Sequence, residues 1–218
     1  MCPSYRVTRD ERDVTRGRAN TLRLAISGQL GSAALISDEM TETLKLCVSC
    51  KACRRECPTG VDMARMKIEV LAARAERFEL SLHDKLVGFL PHYAPYAVRW
   101  HRLFNMRNGN GLFRKASEVI AGFSSRRSLP KWRSDTYRDR SDWRYVSGED
   151  NAGAREVVLF ADTFNRYFER ENLDDALRVL VAAGYRVYAP LPPDPNERPL
   201  CCGRTFLAVG LVEEARRE

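Results

Sequence analysis

Cys47-Val48-Ser49-Cys50-Lys51-Ala52-Cys53-Arg54-Arg55-Glu56-Cys57-Pro58 decides the reading of this 218-residue chain. Its spacing, C-x2-C-x2-C-x3-C-P, is one with which thiolates hold a [4Fe–4S] cluster. The chemistry explains the gaps. Three thiolates must reach three irons of a small cage from one short loop, and two-residue gaps let the backbone wrap one face. The fourth cysteine lies farther on, is followed by proline and points away; in two-cluster proteins it serves the other cluster. Cys47, Cys50 and Cys53 then need a fourth ligand from elsewhere. Residues 2 and 3 are Cys-Pro, the last two letters of such a run, so Cys2 is the candidate. One cluster can be completed within the chain, by Cys2, Cys47, Cys50 and Cys53. Cys57 is left for a second cluster, whose other ligands would have to be supplied. This reading expects a fragment, or a frame that begins at an internal Met of a longer one.

Structural zinc competes for four clustered thiols. Zinc sites, however, usually pair two separated C-x2-C units or mix Cys with His, and four thiols this close crowd a tetrahedron. A disulfide knot needs an oxidising compartment, and no secretory signal is visible. The cytoplasm is therefore the expected location, with peripheral attachment at the inner face of a membrane left open. The longest apolar runs, such as Val157–Ala161 and Val179–Ala183, are too short to span a bilayer. Net charge is +7, from 36 Lys and Arg against 29 Asp and Glu. This moderate excess does not by itself point to nucleic acid. Part of it can balance a four-thiolate cluster, which carries about −2 when oxidised.

Outward from the cysteine run the chain reads as helices. Residues 1–20 are polar and Arg-rich, a coil running into a helix. Arg6, Arg9, Arg12, Arg16 and Arg18 could form a positive collar that raises a cluster potential. Leu22, Leu24, Ala25 and Ile26 stripe a helix over 18–29. Ser37 or Asp38 caps a second helix, which delivers Cys47, and Asp62 caps a third to about Glu79. Residues 81–122 continue helical, interrupted by Pro91 and by Asn108–Gly111. His83, His92 and His101 are nine apart and separated by Pro91 and Pro95, which argues against shared metal ligation. Residues 123–154 interleave Trp132, Tyr137, Trp143 and Tyr145 with basic residues. Such a stretch can bind single strands, but no nucleic-acid motif accompanies it, and a linker packed on a surface is the plainer reading.

Residues 155–218 alternate strand and helix. Glu156–Ala161 reads as a strand, Asn172 can cap a helix through Ala183, Gly184 ends it, and Tyr185–Tyr188 is a second strand expected to pair in parallel with the first. A proline-rich loop leads to Cys201-Cys202-Gly203 and a last helix, inside which the chain stops. Adjacent cysteines form no relaxed disulfide with each other. They could offer two thiolates to a metal, or simply pack as small apolar side chains.

Two sets of residues carry a resemblance over nearly the whole chain. MCPSY…TRDE…TRGRAN followed by LCVSCKACRRECPTGVD resembles the iron–sulfur part of FAD-linked 2-hydroxy-acid oxidases and dehydrogenases. That group includes D-lactate and D-2-hydroxyglutarate dehydrogenases and the iron–sulfur subunit of glycolate oxidase. LFADTFNRYFE…RPLCCGRTF resembles the first cysteine-rich CCG module of the same proteins, seen also in heterodisulfide reductase subunits. The resemblance implies an α+β chain: an α-helical two-cluster ferredoxin-type domain (1–80), a helical extension (81–122), a basic linker (123–154) and a truncated α/β CCG half-domain (155–218). It implies electron transfer from a flavin, on a domain or subunit absent from this chain, to a quinone or other acceptor. The chain would then form part of an oxidoreductase without being catalytic alone. By position Cys47, Cys50 and Cys53 match the first three ligands of one cluster and Cys2 the closing cysteine of the other run, while Cys57 matches the closing ligand of the other cluster. The chain departs from the pattern in lacking an FAD-binding sequence and three cysteines of the first run. Thr163 also stands about where many CCG modules carry a cysteine. A zinc- or nucleic-acid-binding module, or an inactive remnant, remain the alternatives.

Overall fold

The computed structural model describes residues 1–139, 155–194 and 196–218. Trp143 and Tyr145, which the sequence reading singled out, lie outside the described residues. In chain order the elements are α1 (Pro3–Thr8), α2 (Thr15–Ile26), α3 (Asp38–Lys45), α4 (Ala52–Glu56), α5 (Met63–Ala75), α6 (Leu82–Gly88), α7 (Leu90–Ala97), α8 (His101–Gly109) and α9 (Gly111–Ala121). They continue with β1 (Glu156–Val158), α10 (Thr163–Tyr167), α11 (Arg170–Ala182), β2 (Arg186–Tyr188), α12 (Arg204–Ala208) and α13 (Val212–Arg217). The described residues are thus mostly helical with one small parallel sheet, in keeping with the expected α+β class. They divide into two compact units, residues 1–84 with 206–216, and residues 85–205 with 217–218.

In the first unit the capping residues lie where the sequence places them. The Ser37 hydroxyl accepts from the Met40 N–H to start α3, and the Asp62 carboxylate accepts from the Arg65 N–H to start α5. Leu22, Ala25, Met40, Leu44, Met63 and Val70 form the core, with Cys47 and Cys53 packed at its margin. The core side of α2 and α3 therefore carries the cysteine loop. Three segments differ from the sequence reading. α2 spans Thr15–Ile26 where 18–29 was expected. α5 ends at Ala75, short of Glu79. The polar N-terminus, expected as coil, makes α1, with Pro3 in the first turn where its missing N–H costs nothing. The chain then makes a 3-10 turn, Glu11–Asp13, pressed against α2.

Gly17 permits that approach. A Cβ there would stand 2.0 Å from the Glu11 carbonyl oxygen, a backbone atom. Helix propensity alone favours Gly17→Ala by about 1 kcal/mol. The overlap opposes it and wins, because such overpacking typically costs about 1–3 kcal/mol and a backbone oxygen has no rotamer to escape into. Gly17→Ala is expected to lower the denaturant midpoint; a raised midpoint would show that the turn is free to move off α2.

In the second unit β1 and β2 pair in parallel, with Glu156 opposite Arg186, Val157 opposite Val187 and Val158 opposite Tyr188. The strand assignment is shorter than Glu156–Ala161, although the Leu159 N–H still donates to the Tyr188 carbonyl. α10 and α11 form the connection, and Leu173 packs with Tyr137 and Ala161. Pro91 and Pro95, read as breaks, both lie in α7. Pro91 occupies the first turn, and the bond Pro95 forgoes is the single one to the Pro91 carbonyl. Residues after α9 are bound along α8. Asn105 and Trp132 exchange two hydrogen bonds, Asn108 and Leu129 two more, and the buried Arg107 guanidinium donates to the carbonyls of Phe123, Ser124 and Arg127. The Trp132 ring packs at a tilt against Phe168, centroids 4.7 Å apart, and Tyr137 is buried. Both aromatics are therefore committed to packing.

Candidate metal centre

The cysteine loop begins two residues past α3, where the Cys47 N–H donates back to the Leu44 carbonyl. It then makes two turns that ordinary residues avoid. Ser49 and Lys51, on either side of Cys50, have φ of 53° and 59°. Non-glycine residues seldom adopt this left-handed region, and departures of this kind collect at functional loops. Alternating right- and left-handed backbone also produces concave runs of N–H groups that suit anions and iron–sulfur sites. Lys51 caps α4, which carries Cys53, and Cys57 closes that helix.

One cavity of about 310 Å³ is lined by Cys2, Cys47, Cys50 and Cys53 together. Cys2 reaches it as the cap residue of α1, its thiol 3.2 Å from the Thr15 hydroxyl. Among the described residues no three His, Cys, Asp or Glu side chains converge as ligands of a single ion would; these four thiols ring a space instead. Cys57 is not among the lining residues. Its thiol lies 3.1 Å from the Thr59 hydroxyl, and that contact, with backbone N–H groups from Val61, Thr59 and Gly60, holds its pKa below the ordinary thiol value against a small opposing effect of burial.

Arg16, Arg18 and Lys51 line the cavity, with Glu56 as its acidic residue. Of the five N-terminal arginines, Arg16 and Arg18 line it and Arg6, Arg9 and Arg12 do not. Arg16 is exposed and paired with Glu11 at 2.6 Å. Arg18 is only 1% exposed, and Asp13, 3.7 Å away, is 2% exposed. The Arg18 guanidinium donates to the Thr43 carbonyl in α3 at 3.1 Å and to the Ser4 hydroxyl at 3.0 Å, while Ser4 donates to the Asp13 carbonyl. One side chain thus ties the Cys2 segment, the 3-10 turn and the helix that delivers Cys47. Lys67 donates to the Cys47 carbonyl at 2.8 Å; burial lowers its pKa, Cys47 opposes that, and Arg18 adds to it. The sequence reading missed Ser4, Thr15 and Lys67, because nothing local marks them.

The second cysteine motif separates. Cys201 is buried, its sulfur accepting from the Gly203 N–H at 3.4 Å and from the Thr163 hydroxyl at 3.9 Å. Burial raises its pKa foremost, against those two hydrogen bonds. Cys202 is exposed. Thr163, singled out by the resemblance, is indeed beside Cys201. None of the three histidines lines the four-cysteine cavity; the imidazole of His92 contacts Arg198 and Glu218.

Residues 1–61 match the family model described as a 4Fe-4S dicluster domain. Over 90% of its length the chain is 24% identical to D-2-hydroxyglutarate dehydrogenase of Escherichia coli, covering 23% of that protein. Over 92% of its length it is 23% identical to D-2-hydroxyglutarate dehydrogenase of Pseudomonas putida, covering 24%. The chain thus spans about a quarter of the length of the curated relatives it matches. No solved structure matches significantly. The resemblance to the iron–sulfur part of the 2-hydroxy-acid dehydrogenases is borne out by the family match at the cysteine run and by relatives along the chain. Among the described residues no helix is long and apolar enough to cross a membrane.

Proposed function

We propose that the chain is the iron–sulfur electron-transfer module of an FAD-linked 2-hydroxy-acid oxidoreductase, working between a flavin held outside this chain and a quinone or other acceptor. The observation that carries the reading is the single cavity lined by Cys2, Cys47, Cys50 and Cys53. The donor set fits: four thiols, two of them at the margin of a packed core, surround a space much larger than one ion with ligands at about 2.3 Å requires. When bound, a [4Fe–4S] cluster supplies a site that gains and loses one electron at a time. Cys2, Cys47, Cys50 and Cys53 would hold it, and Cys57 would serve another whose remaining ligands come from elsewhere. Arg18 lines the wall with its charge offset by Asp13 at 3.7 Å, and its part is to hold the Cys2 segment to α3. The α-helical ferredoxin-type character of residues 1–80, and the CCG character of 155–218, belong to the same proposal. So do 81–122 as a helical extension and 123–154 as a basic linker. Buried Cys201 and exposed Cys202 are the weaker pair of ligands.

The test is iron and acid-labile sulfide per chain after anaerobic purification, with the EPR spectrum of the reduced protein. About four of each and one cubane signal are expected for a single cluster. One zinc with no labile sulfide would overturn the reading.

A further inference from the structure

α9 is folded with its apolar side out. Its residues separate by polarity at helical spacing, Leu112, Ala116, Val119 and Ile120 on one side, Arg114 and Ser117 on the other. A helix on a soluble domain normally turns such an apolar stripe inward. Here the polar side is the one engaged: the Ser117 hydroxyl accepts from Arg107 of α8 at 2.6 Å, and Arg114 donates to the Asn108 carbonyl. No residue of α9 is buried, and Leu112, Val119 and Ile120 are 74%, 87% and 70% exposed. α8 exposes Leu103 and Met106 as well, with Trp100 just before it. Scattered exposed apolar residues need no explanation; a whole stripe, on a helix whose polar side is spent on internal hydrogen bonds, does.

Charge decides between occupants. From residue 96 to 127 the chain carries seven Arg and Lys against one Glu, which is six of the molecule's seven net positive charges. Arg99, Arg102 and Lys115 are exposed, and among the described residues none meets an acidic side chain at ion-pair distance. Lys115 borders the α9 stripe, and Arg102 stands beside Leu103 at the exposed side of α8. Protein interfaces are enriched in arginine but depleted of lysine, and a one-signed run of cations needs an acidic partner surface. A bilayer with anionic headgroups takes both kinds of residue: aliphatic and aromatic side chains enter the headgroup boundary while lysines and arginines meet phosphates above it.

We propose that the α8–α9 hairpin is a docking surface for an anionic lipid bilayer, holding this chain at a membrane without spanning it. The proposal stands apart from the metal centre, and its test reads lipid binding alone.

The full chain is sedimented with vesicles of phosphatidylcholine containing phosphatidylglycerol, and with phosphatidylcholine vesicles, at low ionic strength. Binding is expected to the first and to fall as salt rises. Arg102→Gln with Lys115→Gln is expected to weaken it about 25-fold, roughly fivefold per cation. Val119→Glu with Ile120→Glu, at exposed positions whose change leaves the melt intact, is expected to weaken it by about tenfold or more. No binding to anionic vesicles overturns the proposal, as does binding that the glutamate pair leaves unchanged. A dimer in solution that the glutamate pair dissolves, with no vesicle binding, overturns it in favour of a second copy of the chain.

Discussion

Under the ligation proposed above, Cys50→Ser is expected to abolish iron–sulfur absorbance and labile sulfide, whereas Cys57→Ser is expected to leave both in place. The contrast follows from where the two thiols lie. Cys50 stands at the wall of the four-cysteine cavity, held there by the left-handed turns at Ser49 and Lys51. A serine hydroxyl is a harder and far weaker donor to iron than a thiolate, and the backbone has already committed two unfavourable conformations to place that position. Neither neighbour can move in to replace it. Cys57 sits at the end of α4, outside the cavity lining, with its thiol against Thr59. Cys2→Ser tests the remote ligand in the same series and is expected to follow Cys50→Ser. If Cys57→Ser bleached the protein and Cys2→Ser did not, the cluster would be closed by the wrong end of the run and the assignment of the cavity would fail.

Arg18→Met is expected to cost about 3–5 kcal/mol, the usual penalty for breaking a buried ion pair by removing one partner. Asp13 would be left charged and buried at 2% exposure, and Asp13 Oδ1 already has no hydrogen bond among the described residues. Two further bonds vanish with the guanidinium, those to the Thr43 carbonyl and the Ser4 hydroxyl. For a unit of this size each kcal/mol moves Tm by about 4–8 °C, so a drop of about 12 °C or more should be seen. Adding Asp13→Asn should restore part of it, since a neutral amide is cheaper to bury alone than a carboxylate. A lone Arg18→Met variant that melts within about 2 °C of the parent would show that the guanidinium is ornamental to the fold, and that α1 is held by other means.

What the sequence made legible was local. C-x2-C-x2-C-x3-C-P and the Cys-Pro at residues 2 and 3 are short-range signals, and the four cysteines they singled out line one cavity. Ser37 and Asp62 were legible as caps because a cap acts three residues away. Arg18 was visible only as one of five arginines, since its partners Ser4 and Thr43 lie 14 and 25 residues off. Nothing in the letters Ser49 and Lys51 announces a positive φ, because asparagine or glycine would be the usual signal there. The same limit explains α9. Its polarity pattern is plain in the sequence, but polarity pattern states only that a helix has two sides, not which of them meets solvent.

Cys2 and Cys47 are 45 residues apart, and α1 between them contributes no buried side chain. Under the ligation proposed above, the cofactor closes that stretch into a loop, as a disulfide would. A closure of that length is worth about 4 kcal/mol against the open chain. Iron would then be a clasp as well as a carrier: a chain that loses it holds α1 by the Arg18–Ser4 bond without the loop closure, and its first residues open more often. Limited proteolysis of the Cys50→Ser protein, cutting ahead of α2 where the loaded protein resists, would read this directly.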